Sequence, residues 1–255
     1  MIGPTDVGKS SFIAALADQA ALVLIDLDPG QKMIGAPGTV ARGRLDASDR
    51  AALERFRWIG STSASSIAAI VGAAEMLGER SGFIANTAGY VAGPGARLQA
   101  ATVAALAAEI VVAIGREAPP LPRGWAGRLL RIERSPLARR KSPALRARLR
   151  QQAFERELGL ETVRLPVGSV TFEPGLPVTP SNGIRPVCAV ADAAGEDMAI
   201  AVLLAAGEDE VVLRVSPPPR PIARIRLGRM WAAPDDTGWR LLERRDPAAF
   251  PLRAG

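Results

Sequence analysis

Gly3-Pro4-Thr5-Asp6-Val7-Gly8-Lys9-Ser10, almost at the start of the chain, carries the Walker A spacing of Gly, four residues, Gly, Lys and Ser, with a helical run from Ser11 to Ala20 behind it. Glycines at both ends of such a loop let backbone N–H groups turn inward around phosphate oxygens, and the helix that follows presents its positive end to them. Lys9 is expected to reach the outer phosphates and Ser10 to offer its hydroxyl to Mg²⁺. Gly3, Pro4, Thr5, Asp6, Val7, Gly8, Lys9, Ser10 and Ser11 are therefore the expected nucleotide contacts. A loop of this kind ordinarily follows a central strand of ~5 residues, whereas only Met1 and Ile2 precede Gly3. The first strand is nearly absent here: either the protein starts further upstream or the sheet lacks part of its centre.

The next strand-like run, Val23-Leu24-Ile25-Asp26-Leu27-Asp28-Pro29-Gly30-Gln31, ends in two carboxylates that the period of two puts on one face. Both are expected to face the phosphates, sharing two tasks: holding Mg²⁺, and accepting the proton of an attacking hydroxyl. Ser10, Asp26 and Asp28 are thus the candidate metal ligands. The chain has no His, so no side chain has an unperturbed pKa near neutrality and a base must be a carboxylate.

Working outward, residues 1 to about 118 alternate apolar runs (Leu22 to Leu27, Gly82 to Asn86, Glu109 to Ile114) with Ala-rich helical stretches. That alternation marks an α/β fold of the P-loop NTPase kind, a mostly parallel sheet flanked by helices. From Pro119 to about Arg156 the chain turns Pro-rich and then Arg-rich, with a basic helix expected over Pro143 to Leu158 behind Ser142. Beyond Leu160 short runs broken by Pro and Gly predict a small β-rich module. The expected division is 1–158, a P-loop domain whose segment from about 119 to 158 is an Arg-rich lid, and 159–255, the β-rich domain. Arg224-Ile225-Arg226 with Arg229 are expected either in loops or on a nucleic-acid surface.

Composition narrows the setting. Thirty-two Lys and Arg against 26 Asp and Glu give a net charge of +6, which suits an anionic partner. Single Cys188 cannot form an internal disulfide. No apolar run is long enough for a membrane helix, since the nearest, Ala100 to Ile114, is broken by Glu109. No membrane association and a cytoplasmic location are expected, while the oligomeric state is unknown.

Asp-Leu-Asp-Pro-Gly-Gln at 26–31, Ile34 to Val40, Trp58-Ile59-Gly60-Ser61-Thr62-Ser63, and Asn86-Thr87-Ala88-Gly89-Tyr90-Val91 occur in this order after the Walker A loop. From Gly3 to about Phe154 the chain resembles the polynucleotide 5′-hydroxyl kinases. That family includes the kinase subunit of the eukaryotic pre-mRNA cleavage complex, the ribosomal-RNA-processing kinases and archaeal relatives. The resemblance implies ATP-dependent phosphorylation of the 5′ end of RNA or DNA, with Lys9 and Ser10 serving ATP and Mg²⁺ and Asp28 as general base. Gln31 would sit beside the metal, Thr62 and Tyr90 would clasp the terminal nucleotide, and Arg134, Arg139 and Arg146 would reach over the transferring phosphoryl group as lid arginines. The family usually has Trp at the position of Tyr90 and Pro at that of Ala64. Two other readings stay open on the residues. One is a noncatalytic ATP-binding scaffold, favoured by the short first strand and the altered clasp; the other is an NTPase or kinase acting on a small molecule, which the basic lid and net charge oppose.

Overall fold

A computed structural model describes residues 1–47, 51–78, 82–116, 121–175, 183–236 and 238–242. The first part of the chain runs α1 (Lys9–Ala17), β1 (Leu22–Asp26), β2 (Thr39–Leu45), β3 (Ala52–Trp58), α2 (Ile67–Leu77), β4 (Phe83–Asn86), α3 (Pro94–Ala105), β5 (Ile110–Ile114), β6 (Arg128–Ile132) and α4 (Pro143–Glu157). The expected start of the lid, near 119, lies outside the described residues. The second part is β7 (Glu161–Pro166), β8 (Thr171–Glu173), β9 (Arg185–Ala191), β10 (Asp197–Ala206), β11 (Glu210–Val215), β12 (Arg224–Asp235) and β13 (Gly238–Leu241).

β1 and β4 are parallel, with Asp26 opposite Asn86, and β5 and β6 are parallel to each other. Met1 and Ile2 join these two pairs. The Met1 nitrogen donates to Ala85 O at 2.7 Å and Thr87 N to Met1 O at 3.3 Å, while Ile2 N donates to Val112 O and Ile114 N to Ile2 O, both at 2.9 Å. Met1 and Ile2 thus occupy the place of a central strand between β4 and β5. Directly after it, Gly3 has φ +150°, and a Cβ there would lie 2.5 Å from Ile114 O, so only glycine lets the loop leave the sheet at this point.

β1 is buried on both faces because its alternating side chains enter different clusters. Leu24 packs with Ile13, Ala41, Phe56 and Phe154, whereas Ile25 and Leu27 pack with Ile70, Ala73, Ala74 and Leu77 of α2 and Leu98 of α3. Those α2 residues recur at helical spacing, which turns one apolar stripe onto the sheet. β2 and β3, a hairpin antiparallel to β1, extend the sheet at its edge in the order β3-β2-β1-β4. The sequence reading placed no strands there.

The Ser142 hydroxyl accepts Leu145 N at 3.1 Å and Pro143 occupies the first turn, the expected start of the basic helix. Its far end is anchored by fully buried Phe154 and by Gln151, which exchanges hydrogen bonds with Trp239 O and Leu241 N.

The second part is a seven-stranded, mainly antiparallel sheet whose path is β13-β12-β9-β10-β11-β7. On β9, Val187 and Ala189 join the cluster that holds Leu24, while Cys188 and Val190 enter a separate one with Leu203, Leu213 and Ile225. One face of this sheet therefore covers the P-loop core. The seam is tight: Arg229 N donates to Gly60 O at 2.6 Å, Trp58 Nε1 to Leu227 O at 3.3 Å, and Trp58 N to buried Asp197 at 2.9 Å. Arg224, Arg226 and Arg229 sit in β12 rather than in loops, and Arg224 and Arg226 pair with Glu173, Arg226 also with Asp197. Internal ion pairs thus claim two of the arginines considered for a nucleic-acid surface. Among the described residues no helix is long and apolar enough to cross a membrane.

Candidate active site

Gly3 to Ser10 curls between the short first strand and α1, with left-handed backbone at Asp6 (φ +61°) and Gly8 (φ +105°). Lys9, the first residue of α1, folds its side chain back so that Nζ donates to Gly3 O at 2.7 Å and Pro4 O at 2.9 Å. Burial lowers the Lys9 ammonium to about 8, against the pull of Asp28 and Asp6, which favours the charged form. A phosphate arriving there would meet a cation already desolvated.

The two aspartates of the β1 end are not equivalent. Asp26 is fully buried, and its carboxylate accepts Met33 N at 2.6 Å and Asn86 Nδ2 at 3.1 Å while pairing with Lys32 Nζ at 3.3 Å. It forms no part of the groove wall. The period-of-two expectation that both acids face the phosphates fails because the chain leaves strand geometry after Asp26, and the following loop folds back to bond that carboxylate. Asp28 does line the groove, together with Lys9, Ser10 and Gln31. Its Oδ1 accepts Gly30 N at 2.9 Å and Gln31 N at 3.0 Å. Burial first, and neighbouring Asp26 second, hold its carboxyl above the usual aspartate value of 3.8.

The groove measures about 190 Å³ and is closed on one side by the lid, through Arg139 and Lys141 ahead of α4 and Arg146 in its first turn. Arg134 does not line it; its guanidinium donates to Ala138 O at 2.9 Å, and Arg139 donates to Pro136 O at 2.6 Å, so both brace the loop ahead of α4. Thr62 lies behind the Asp28 loop: a Cβ on Gly30 would fall 2.7 Å from Thr62 O. Tyr90, 39% exposed, stands one residue beyond Gly89, whose carbonyl accepts the Thr5 hydroxyl at 3.3 Å. Neither Thr62 nor Tyr90 belongs to the groove wall; Thr62 neighbours the Asp28 loop and Tyr90 follows the Gly89 contact with the phosphate loop.

Six wall residues had no role assigned from the sequence. Asn86, Thr87 and Gly89 line the groove from the end of β4, and Leu137, Ala138 and Lys141 from the lid. Only the register of β4 beside β1 brings Asn86 to Asp26, and no spacing rule links residues 60 positions apart.

Among the described residues no group of three acidic, Cys or His side chains could hold a metal unaided. A Mg²⁺ ion would lean on the nucleotide's phosphates, as it ordinarily does. The donors fit that mode. The Ser10 hydroxyl and the Asp28 carboxylate share the groove, and two further wall oxygens, Gln31 Oε1 and Asn86 Oδ1, are buried without a protein donor and suit the waters of a hydrated cation.

Residues 3–156 match the family model of the mRNA cleavage and polyadenylation factor CLP1 P-loop. Among solved structures, wild-type Clp1p in complex with Pcf11p is similar with a TM-score of 0.66 and 16% identity, covering 89% of this chain and 72% of that one. A second Clp1p structure, describing an extended interface with Pcf11p and the loss of ATP in a glycine-to-arginine mutant, gives 0.67 at 15% identity, with 89% and 73% covered. At such identities the likeness speaks for the fold. No curated protein matches the chain by sequence.

Proposed function

The chain belongs to the CLP1 P-loop family, and on that premise we propose that it is an ATP-dependent kinase of polynucleotide 5′-hydroxyl ends, residues 1–158 forming the kinase domain with its lid and 159–255 the β-rich module behind it. The observation that carries this reading is the single groove in which a buried lysine, a carboxylate of raised pKa and lid arginines face one another.

Backbone amides of the loop and the N-terminus of α1 bind the phosphates, and Lys9 leaves its carbonyl partners for the outer phosphate oxygens. Ser10 and Asp28 would hold Mg²⁺, which when bound neutralises phosphate charge; Asp26 acts at one remove by holding the loop that carries Asp28. A 5′-hydroxyl whose nucleotide is clasped between Thr62 and Tyr90 gives its proton to Asp28 as its oxygen bonds to the γ-phosphorus and the bond to the departing ADP breaks. Burial raises the proton affinity of Asp28, which suits it to that transfer. Arg146 and Arg139 balance charge on the transferring group, a kind of contribution worth ~10³–10⁵ in rate. Arg134, which braces the loop ahead of α4, keeps Arg139 in reach.

A second reading, a nucleotide-bound scaffold without turnover, draws support from the solved Clp1p relatives, which are complexes with a protein, Pcf11p. One assay separates them. With ATP labelled in the γ-phosphate and 5′-hydroxyl RNA and DNA oligomers, the kinase reading expects label on the oligomer and none with Lys9→Ala. Retention of ATP with no label on any oligomer would sink the kinase and leave the scaffold.

A further inference from the structure

The Walker A pattern leaves the residue at position 6 open, yet Asp6 sends its side chain out of the phosphate loop and into the lid. Its backbone is left-handed, φ +61°, and its carboxylate is bonded by the lid. There Oδ2 accepts Lys141 N at 3.0 Å and forms a hydrogen-bonded ion pair with Arg146, whose Nε donates to Lys141 O at 3.3 Å. The Asp6 side chain is 7% exposed, so water competes poorly for this pair. One turn of α4 is thereby tied to the loop, and Gln31 Nε2 adds a longer tie to Arg146 O at 3.4 Å. The nearby arginines do not help: Arg134 and Arg139 bond only carbonyls of the lid's own loop. The other end of α4 is fixed separately, through Phe154 and Gln151.

We propose that Asp6 is a positioning residue that latches the lid onto the phosphate loop before any nucleotide arrives, so that Arg146 and Lys141 form a preassembled wall of the groove. The carboxylate stands in for an anionic phosphate oxygen as the partner of Arg146. The purpose of the latch rests on the phosphoryl-transfer reading; its existence does not.

Limited trypsin digestion of the full chain without nucleotide tests it, because Arg139 and Arg140 are exposed cleavage sites just ahead of the latched turn. Cleavage there tracks how often the lid opens. Asp6→Asn removes the charge and keeps a residue that tolerates left-handed backbone. It is expected to speed cutting in the lid roughly tenfold, the factor that a charge-assisted hydrogen bond typically carries. Arg146→Gln breaks the same tie from the lid side and leaves the loop intact, so it should match that rate, and the double variant should be no faster than either. Wild-type cleavage rates in both single variants, or two effects that multiply in the double, would overturn the latch. Since no nucleotide enters the digestion, its failure would leave the kinase reading standing, and a protected lid on a protein that transfers no phosphate would do the reverse.

Discussion

Asp28 holds two properties that pull in opposite directions. Its carboxyl is raised above 3.8 by burial and by Asp26, so ionising it is harder in the folded protein than in the unfolded chain. A raised acid adds stability only while protonated: the contribution is full below the unfolded value and is lost as pH rises through the folded one. Near pH 7 the charge that would make Asp28 a base therefore weakens the fold. Asp28→Asn keeps an oxygen for Gly30 N and Gln31 N and removes that charge. Phosphate transfer should fall about 10²–10⁴-fold, while thermal melts at pH 7 should rise, by about 2–4 °C for each kcal/mol gained. The gain should shrink as pH falls and the wild-type acid takes up its proton. A variant less stable than wild type at pH 7 would contradict this account of Asp28.

At the scale of elements, the β1–β2 connection is organised around a carboxylate the sequence read as a metal ligand. Asp26 and Lys32 have side chains at 0% exposure, and Lys32 Nζ also donates to Asp26 O at 3.2 Å and Thr39 O at 3.1 Å. The pair ties the end of β1 to the start of β2 and so shapes the loop bearing Asp28. Removing one partner of a buried pair strands the other, typically at ~3–5 kcal/mol. Asp26→Ala should lose about that much in denaturant midpoints, and Asp26→Ala with Lys32→Met should recover most of it. If the double variant is as unstable as the single, the pairing is not what holds the connection. The three core strands were legible because each is an apolar run that follows a helix. The β2–β3 hairpin was not, because its β3 carries Glu54, Arg55 and Arg57 on an edge, where charged side chains are tolerated and erase the apolar pattern.

Across the whole molecule the deciding contact is between two glycines far apart in sequence. A Cβ on Gly228 would lie 2.4 Å from Gly60 Cα and 2.5 Å from Gly60 O, both backbone atoms that cannot swing aside. Gly60 leads into Thr62, whose carbonyl abuts Gly30 and the Asp28 loop, so the β-rich sheet backs one wall of the site. Gly228→Ala should open this seam and cost about 1–3 kcal/mol, the usual range for forced overpacking. It should raise KM for an oligonucleotide more than KM for ATP. Gly207→Ala, whose Cβ would meet nothing closer than Glu210 O at 3.7 Å, should leave both unchanged. Equal behaviour of the two variants would show that the seam does not bear on the site.

The phosphate loop, the helix behind it, the core strands and the capped basic helix were set by the sequence alone, since each depends on neighbours within a few residues: glycine backbone freedom, period-two burial, a serine cap before a proline. The separation of Asp26 from Asp28, the contact of Asp6 with the lid and the backing of Gly60 by β12 were decided only in three dimensions. The last two join residues tens of positions apart and the first depends on Asn86, 60 positions on, as well as on the loop folding back, so packing and desolvation, rather than local spacing, choose which charge is paired and which is left facing the groove.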